Sequence, residues 1–275
     1  MTGVPIPLAM PTPSLKDLLD IAAEAAFAGG RRTLAYFNAG EGSALIEEKG
    51  DQTPVTVADK EAEHVIRGVI GKYFPSHAIL GEEHGLSEGD RRYTWVVDPI
   101  DGTKSFVHGV PLYGTVVGCL VDDEPLVGAV YMPAVGGGEL YTGARGLGST
   151  YNGRACRVSD VARLEDATLL AGSITRAIDR SEAYMSLAHK VKLNRGWGDV
   201  FGYMLVASGR AEVMIDPRIS VWDIAGVAPI IKEAGGFLGD WTGAETVKGK
   251  DCFACNAGLK DVVLAALRGH PSKAQ

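Results

Sequence analysis

Cysteine is scarce, basic residues are outnumbered and long apolar runs are missing, and each absence narrows what the chain does. Four cysteines in 275 residues (Cys119, Cys156, Cys252, Cys255) are too few and too scattered for a disulfide scaffold. Only Cys252 and Cys255 stand close together. A zinc site needs about four ligands, and no second pair is near enough to complete one. Two small apolar thiols on a buried strand are the expectation there. Lys and Arg number 27 against 34 Asp and Glu, a net charge of −7 with a pI near 5.4. That balance excludes a general nucleic-acid or membrane-surface binder. It leaves an anionic substrate open, because bound cations invert the field locally. No apolar run reaches the roughly 18 to 20 residues of a membrane-spanning helix. Residues 1–13 are Pro-rich, with no basic stretch followed by a hydrophobic one. They are expected to form a flexible arm rather than a signal peptide, with the cytoplasm as compartment.

What is present is an ordinary globular composition, 46% hydrophobic and 22% charged, with 36 glycines that forecast tight turns and close backbone approaches. Ser14 can cap a first helix running to about Asn38, with Leu15, Leu18, Leu19 and Ala22 on one face. A second helix is expected from Thr56 to Tyr73, stopped by Pro75. Short strands follow at Ala78–Gly81, Thr94–Val97, Tyr113–Val121, Leu126–Met132 and Glu139–Thr142. Beyond them helix and strand alternate: strands at Ala167–Ala171, Ala211–Ile215 and Gly236–Leu238, helices at Arg180–Lys190, Asp199–Ser208, Trp222–Ala234 and Leu259–Leu267. Helices packed on sheet follow from that order. The chain from 14 to 275 reads as a single domain, divisible near residue 155 into subdomains 14–155 and 156–275.

The chemistry concentrates in Trp95-Val96-Val97-Asp98-Pro99-Ile100-Asp101-Gly102-Thr103. A hydrophobic strand delivers Asp98 to its C-terminal end, where open α/β sheets place ligands. Pro99 is expected to turn the chain so that Asp98 and Asp101 aim at one point. Gly102 and Thr103 offer backbone N–H groups that a helix start would direct at a phosphate. Hard divalent ions prefer such oxygen donors. Glu82 and Glu83 also follow a strand, and Asp223 opens a later helix as either a cap or a metal ligand. Singly, each of these has an ordinary explanation as a turn, a solvated face or a cap; together they describe a centre.

An acidic pair, the run Asp98-Pro99-Ile100-Asp101-Gly102-Thr103, the pair Trp222-Asp223 and the upstream Thr53-Pro54-Val55-Thr56-Val57-Ala58-Asp59 resemble the inositol monophosphatase family. That family comprises lithium-sensitive, magnesium-dependent phosphatases. The resemblance spans about residues 14 to 268 and implies a layered αβαβα sandwich of the inositol monophosphatase and fructose-bisphosphatase type, forming a homodimer. It implies that Glu82, Asp98 and the Ile100 carbonyl hold one Mg²⁺. Asp98, Asp101 and Asp223 would hold a second, and a third would lean on Glu82, with Mn²⁺ able to substitute. Thr103, bonded to Asp59, would deprotonate the attacking water together with Glu82, and the Gly102 and Thr103 N–H groups would bind phosphate. Two cations of this kind neutralise a phosphate dianion, activate water and steady the leaving oxygen.

Two rivals remain. Phosphatases that form an aspartyl-phosphate carry D-x-D-x-T after a strand, but here Pro99-Ile100 separates the carboxylates and spoils that geometry. A metal-binding protein without activity is opposed by the completeness of the centre. For substrate, the stretches around Lys104–Gly114, Trp197–Tyr203 and Gly209–Pro217 resemble the histidinol-phosphatase branch, with inositol phosphate as the alternative. Asp199, Asp216 and Arg195 are the candidate substrate contacts. Asp199 has a competing explanation as the cap of its helix, and Arg195 as a solvated side chain. Lys49 could reach phosphate from its loop, while His84 and His108 have no assigned part.

Overall fold

The computed structural model describes residues 12–37, 46–48 and 54–269. The helices are α1 (Leu15–Thr33), α2 (Val57–Tyr73), α3 (Thr103–Val107), α4 (Ile174–Arg180), α5 (Ala183–Ala188), α6 (Asp199–Ala207), α7 (Val221–Ile224), α8 (Val227–Glu233) and α9 (Lys260–Gly269). The strands of the first half are β1 (Ile46–Glu48), β2 (Pro54–Thr56), β3 (His77–Gly81), β4 (Gly85–Leu86), β5 (Asp90–Asp101), β6 (Gly114–Val121), β7 (Glu124–Met132), β8 (Glu139–Ala144), β9 (Gly148–Tyr151) and β10 (Arg154–Ala155). Those of the second half are β11 (Thr168–Ala171), β12 (Leu193–Arg195), β13 (Val213–Asp216), β14 (Gly236–Gly239) and β15 (Cys252–Asn256).

These elements stack in five layers. Helices α1 and α2 cover one face of an eight-stranded sheet ordered β10-β9-β8-β7-β6-β5-β3-β4. Its other face meets α6, α7 and α8, which lie against a five-stranded sheet ordered β12-β11-β13-β15-β14. Helices α4, α5 and α9 close the outside. The expected αβαβα sandwich is therefore the observed architecture. Helix α1 forms because Ser14 and Asp17 make a reciprocal capping box and Leu18, Ile21, Ala22, Ala25 and Ala26 bury one stripe. Cys252 and Cys255 lie buried on the interior strand β15, as expected of apolar thiols.

A row of glycines explains how the middle layer reaches the large sheet. Gly118, Gly128 and Gly143 face one another across β6, β7 and β8. An added Cβ at Gly128 would collide with the Gly226 carbonyl, one at Gly118 with Ala225, and one at Gly143 with Ile230. Helices α7 and α8 thus press backbone against sheet, which sets the depth at which Asp223 on α7 enters the site.

Several expected boundaries move. The helix expected at Trp222–Ala234 is two, α7 and α8, broken at Ala225-Gly226 where the chain crosses the glycine row. The helix expected at Arg180–Lys190 is the shorter α5, and an additional helix, α4, precedes it, the two separated at Ser181, which is extended (φ −161°, ψ 149°). Strand β5 continues past Val97 to Asp101, and the expected turn-rich segment 143–148 ends in an additional strand, β9. The first helix stops at Thr33, with Leu34 as its C-cap, short of the expected Asn38; most of the N-terminal arm, Lys49 and Thr53 lie outside the described residues.

Candidate active site

Pro99 does not make a turn. It sits in a bulge inside β5, where Asp98 pairs with Val116 and Asp101 with Gly114, so that two residues oppose Thr115 alone. Thr115 Oγ1 donates to the Pro99 carbonyl at 2.7 Å, and the Ile100 amide donates to Asp98 Oδ1 at 3.0 Å. In a regular strand, positions three apart face opposite ways; the extra residue brings both carboxylates to one face. Immediately beyond, Gly102 takes φ +93°, and a Cβ there would stand 2.9 Å from the Leu112 carbonyl. Only glycine suits that position, and it starts α3 directly after the second carboxylate.

Asp223 arrives from the other sheet's helices. Its Oδ2 accepts from the Ser220 amide at 2.7 Å, closing a capping box at the start of α7. Cap and candidate ligand are therefore one carboxylate doing both. Asp98, Asp101 and Asp223 each offer an oxygen, and the three oxygens lie within 4.8 Å of one another. Asp98 is buried; Asp101 and Asp223 are half-buried. Oδ2 of Asp101 is sealed from solvent and has no hydrogen-bond partner.

Such crowding is costly without a cation. Burial, then the neighbouring charges of Glu82, Asp101, Asp223 and Asp59, push the Asp98 carboxyl well above its usual range. Burial and the charges of Asp199, Asp223, Asp216 and Glu82 do the same to Asp101. Asp223 is pushed up to about 7, chiefly by burial and against the pull of its Ser220 hydrogen bond. Raised carboxylate pKa values mean that the ionised forms lack stabilisation. The orphaned Asp101 oxygen and an all-oxygen donor set fit a hard divalent cation.

The other expected residues divide. Glu82 is half-buried after β3, where its amide donates to the Val97 carbonyl at 3.2 Å and its charge acts on all three central carboxylates. Asp59 is buried in the first turn of α2, and its charge also acts on Asp98. Thr103 Oγ1 donates to the Ile100 carbonyl at 3.1 Å. Asp199 is not the side-chain cap of α6: the N-cap is Gly198, without a side-chain hydrogen bond. It instead adopts φ +52°, and its charge acts on Asp101, Asp216 and Asp223. A non-glycine residue held in that region is a strained position of the sort found at functional sites. Asp216 ends β13, with its carboxyl raised by burial and then by Asp199 and Asp223. Arg195 is exposed on the edge strand β12, donating to the Asn194 carbonyl at 2.7 Å. His108 is exposed, with Nδ1 2.8 Å from the Lys104 carbonyl. Sequence reasoning passed over Lys104, whose charge opposes the rise in Asp199's pKa; its place directly after Thr103 was the available signal.

A five-layered α/β sandwich that brings three carboxylates together at strand and helix ends fits a hydrolase of phosphate esters that works with hard cations. The chain belongs to the inositol monophosphatase family, whose profile matches residues 14–272. It is a phosphoric monoester hydrolase. The histidinol-phosphatase of Chlorobaculum parvum is 39% identical over 259 residues, covering 93% of this chain and 97% of that protein. The fructose-1,6-bisphosphatase/inositol-1-monophosphatase of Aquifex aeolicus is 34% identical, covering 91% and 95%. The solved inositol monophosphatase of Anabaena superposes with a TM-score of 0.81 at 32% identity, covering 94% of this chain and 97% of that one. Among the described residues no helix is long and apolar enough to cross a membrane.

Proposed function

We propose that this enzyme is a Mg²⁺-dependent histidinol-phosphate phosphatase acting as a cytoplasmic homodimer, one phosphatase domain from residue 14 to 275. The observation that carries the metal assignment is the Asp98–Asp101–Asp223 cluster with its orphaned, buried Asp101 oxygen. Glu82, Asp98 and the Ile100 carbonyl would hold one Mg²⁺, Asp98, Asp101 and Asp223 a second, and Glu82 would reach a weaker third; Mn²⁺ would substitute. When bound, these ions supply charge neutralisation and lower the pKa of coordinated water. The chain supplies orientation and proton handling. Gly102 and Thr103 amides bind the phosphate at the head of α3, while Thr103, whose hydroxyl would have to turn from the Ile100 carbonyl to Asp59, and Glu82 hold the attacking water and take its proton. As the new P–O bond forms, the bond to the leaving oxygen breaks and that oxygen is protonated.

The substrate assignment rests on Asp199. Its carboxylate is not spent on capping α6 and adds to Asp216 a second negative group beyond the metal ligands. Histidinol phosphate carries an ammonium and a titratable imidazole, whereas inositol phosphate offers neutral hydroxyls. The names of relatives from Chlorobaculum parvum and Mycobacterium tuberculosis, both histidinol-phosphatases, point the same way. The second substrate reading, inositol 1-phosphate, is favoured by the Aquifex and Anabaena relatives. Comparing kcat/KM for the two esters in Mg²⁺ decides between them. Asp199→Asn should cost about 1–3 kcal/mol in kcat/KM for histidinol phosphate alone. Equal losses on a neutral-tailed ester would remove Asp199 from substrate recognition.

A further inference from the structure

Helix α2 buries two carboxylates on its core-facing side, Asp59 and, one turn later, Glu63. Glu63 is fully buried, an expensive place for a charge unless it is paired and fully hydrogen-bonded. It is both. Oε1 pairs with Arg67 Nε at 2.7 Å, one turn further along α2. Oε2 accepts from the Glu83 amide at 2.8 Å, and Oε1 from the His84 amide at 3.3 Å, with His84 Nδ1 at 3.2 Å. Arg67 grips the same segment from outside, donating to the Gly85 carbonyl at 2.5 Å and the Ile79 carbonyl at 3.4 Å. The carboxylate is seated directly under β3, for a Cβ on Gly81 would occupy its space.

Apart from the Glu63–Arg67 pair itself, these contacts fall on β3 and on the turn just after Glu82, at Ile79, Glu83, His84 and Gly85. We propose that Glu63, buttressed by Arg67, is a positioning residue that presets the turn carrying Glu82 before any cation arrives. The inference rests on the assignment of Glu82 as a metal ligand. An anion accepting two successive backbone N–H groups fixes both peptide planes, so the preceding residue has little freedom left in the direction its side chain leaves the turn. Asp59 and Glu63 share one helix, so α2 carries both the residue assigned to orient Thr103 and the carboxylate under the Glu82 turn. Groups that orient ligands without touching the metal typically alter its affinity by about 10–100-fold when removed.

The experiment measures Mn²⁺ binding to substrate-free protein by electron paramagnetic resonance, alongside kcat and the Mg²⁺ concentration giving half-maximal activity. Glu63→Gln keeps the shape but turns one acceptor into a donor facing amides; it should weaken Mn²⁺ binding and raise the Mg²⁺ requirement about tenfold or more. At saturating Mg²⁺, kcat should recover to within about threefold. Gly81→Ala, which displaces the same carboxylate from the other side, should reproduce the shift. Leu187→Ala on α5, matched for lost melting temperature, should leave both metal readouts unchanged. Glu63→Gln with wild-type Mn²⁺ affinity overturns the proposal. If Glu82→Gln also leaves affinity intact, the ligand assignment itself falls; if Glu82→Gln weakens binding and Glu63→Gln does not, only the positioning role falls. Native hydrogen exchange needs no variant: in metal-free wild type the Glu83 and His84 amides should be protected. Exchange at unprotected rates would overturn the proposal even if neither variant folds.

Discussion

Two buried acidic places in this molecule are built in opposite ways. Glu139 on β8 accepts from Tyr141 Oη at 2.8 Å, Tyr151 Oη at 2.7 Å and Arg210 Nη2 at 3.1 Å. Burial alone would raise its pKa, but hydrogen bonds from Tyr151, Arg210 and Tyr141 outweigh that and the carboxyl ends below its usual value. Tyr151 stacks on Tyr141 at 4.7 Å, and the Arg210 guanidinium lies over the Tyr151 ring, so the cluster also joins β8 and β9 to the loop before β13. At the Asp98–Asp101–Asp223 centre the pKa values go up, and one oxygen finds no partner at all. The first place satisfies its charge from the protein and serves stability. The second leaves its charge unsatisfied and so reserves it for cations.

The sharpest way to break the comparison is activity. Asp98→Asn should abolish turnover, whereas Glu139→Gln should leave kcat within about twofold. An Asp98→Asn enzyme retaining more than about a tenth of wild-type kcat would refute the central assignment. Stability should move in the reverse sense. Unfolding in denaturant should show Glu139→Gln losing about 2–3 kcal/mol, because Arg210 and two tyrosines lose their acceptor. In EDTA at neutral pH, Asp101→Asn should instead be more stable than wild type, because it removes one charge from a centre whose carboxylates repel one another. A metal-free Asp101→Asn protein less stable than wild type would show that the centre is satisfied without cations.

Mg²⁺ itself should separate the two places. At 100-fold excess over its dissociation constant it should stabilise wild type by about 2.7 kcal/mol and Asp98→Asn far less. Melting curves with and without Mg²⁺ read this directly, and the Glu139→Gln increment should match wild type. The smallest effect is acid sensitivity. Glu139's folded pKa is depressed, so its contribution is present above the unfolded value of about 4.3 and lost as pH falls through the folded one. The stability gap between wild type and Glu139→Gln should therefore narrow below about pH 4, measured in EDTA. A gap that widens on acidification would contradict the lowered pKa.

Much of this site was legible because it is local. Asp98, Pro99, Ile100, Asp101 and Gly102 are contiguous, and their spacing alone announces two carboxylates and a tight start to a helix. Where expectation and structure parted, the deciding contacts were distant in sequence. Pro99 was expected to turn the chain, but Thr115 on the neighbouring strand holds it in a bulge. Asp199 was expected to cap its helix or to face the site; the backbone at Gly198 and Asp199 leaves it uncapping. Glu63 drew no notice, since a Glu in a helix is ordinarily a solvated residue, and only the packing of α2 over β3 buries it.

By itself the sequence determined the class of fold, the chemistry of the donors and the family, because periodicity and short-range spacing survive without knowledge of neighbours. The tertiary structure alone decided which carboxylates are satisfied and which are not. That distinction depends on desolvation and on hydrogen-bond partners such as Arg210 for Glu139 or the Glu83 amide for Glu63, which stand 71 and 20 positions away along the chain. Burial and partnership are properties of folded neighbours, and a carboxylate's letter in the sequence carries neither.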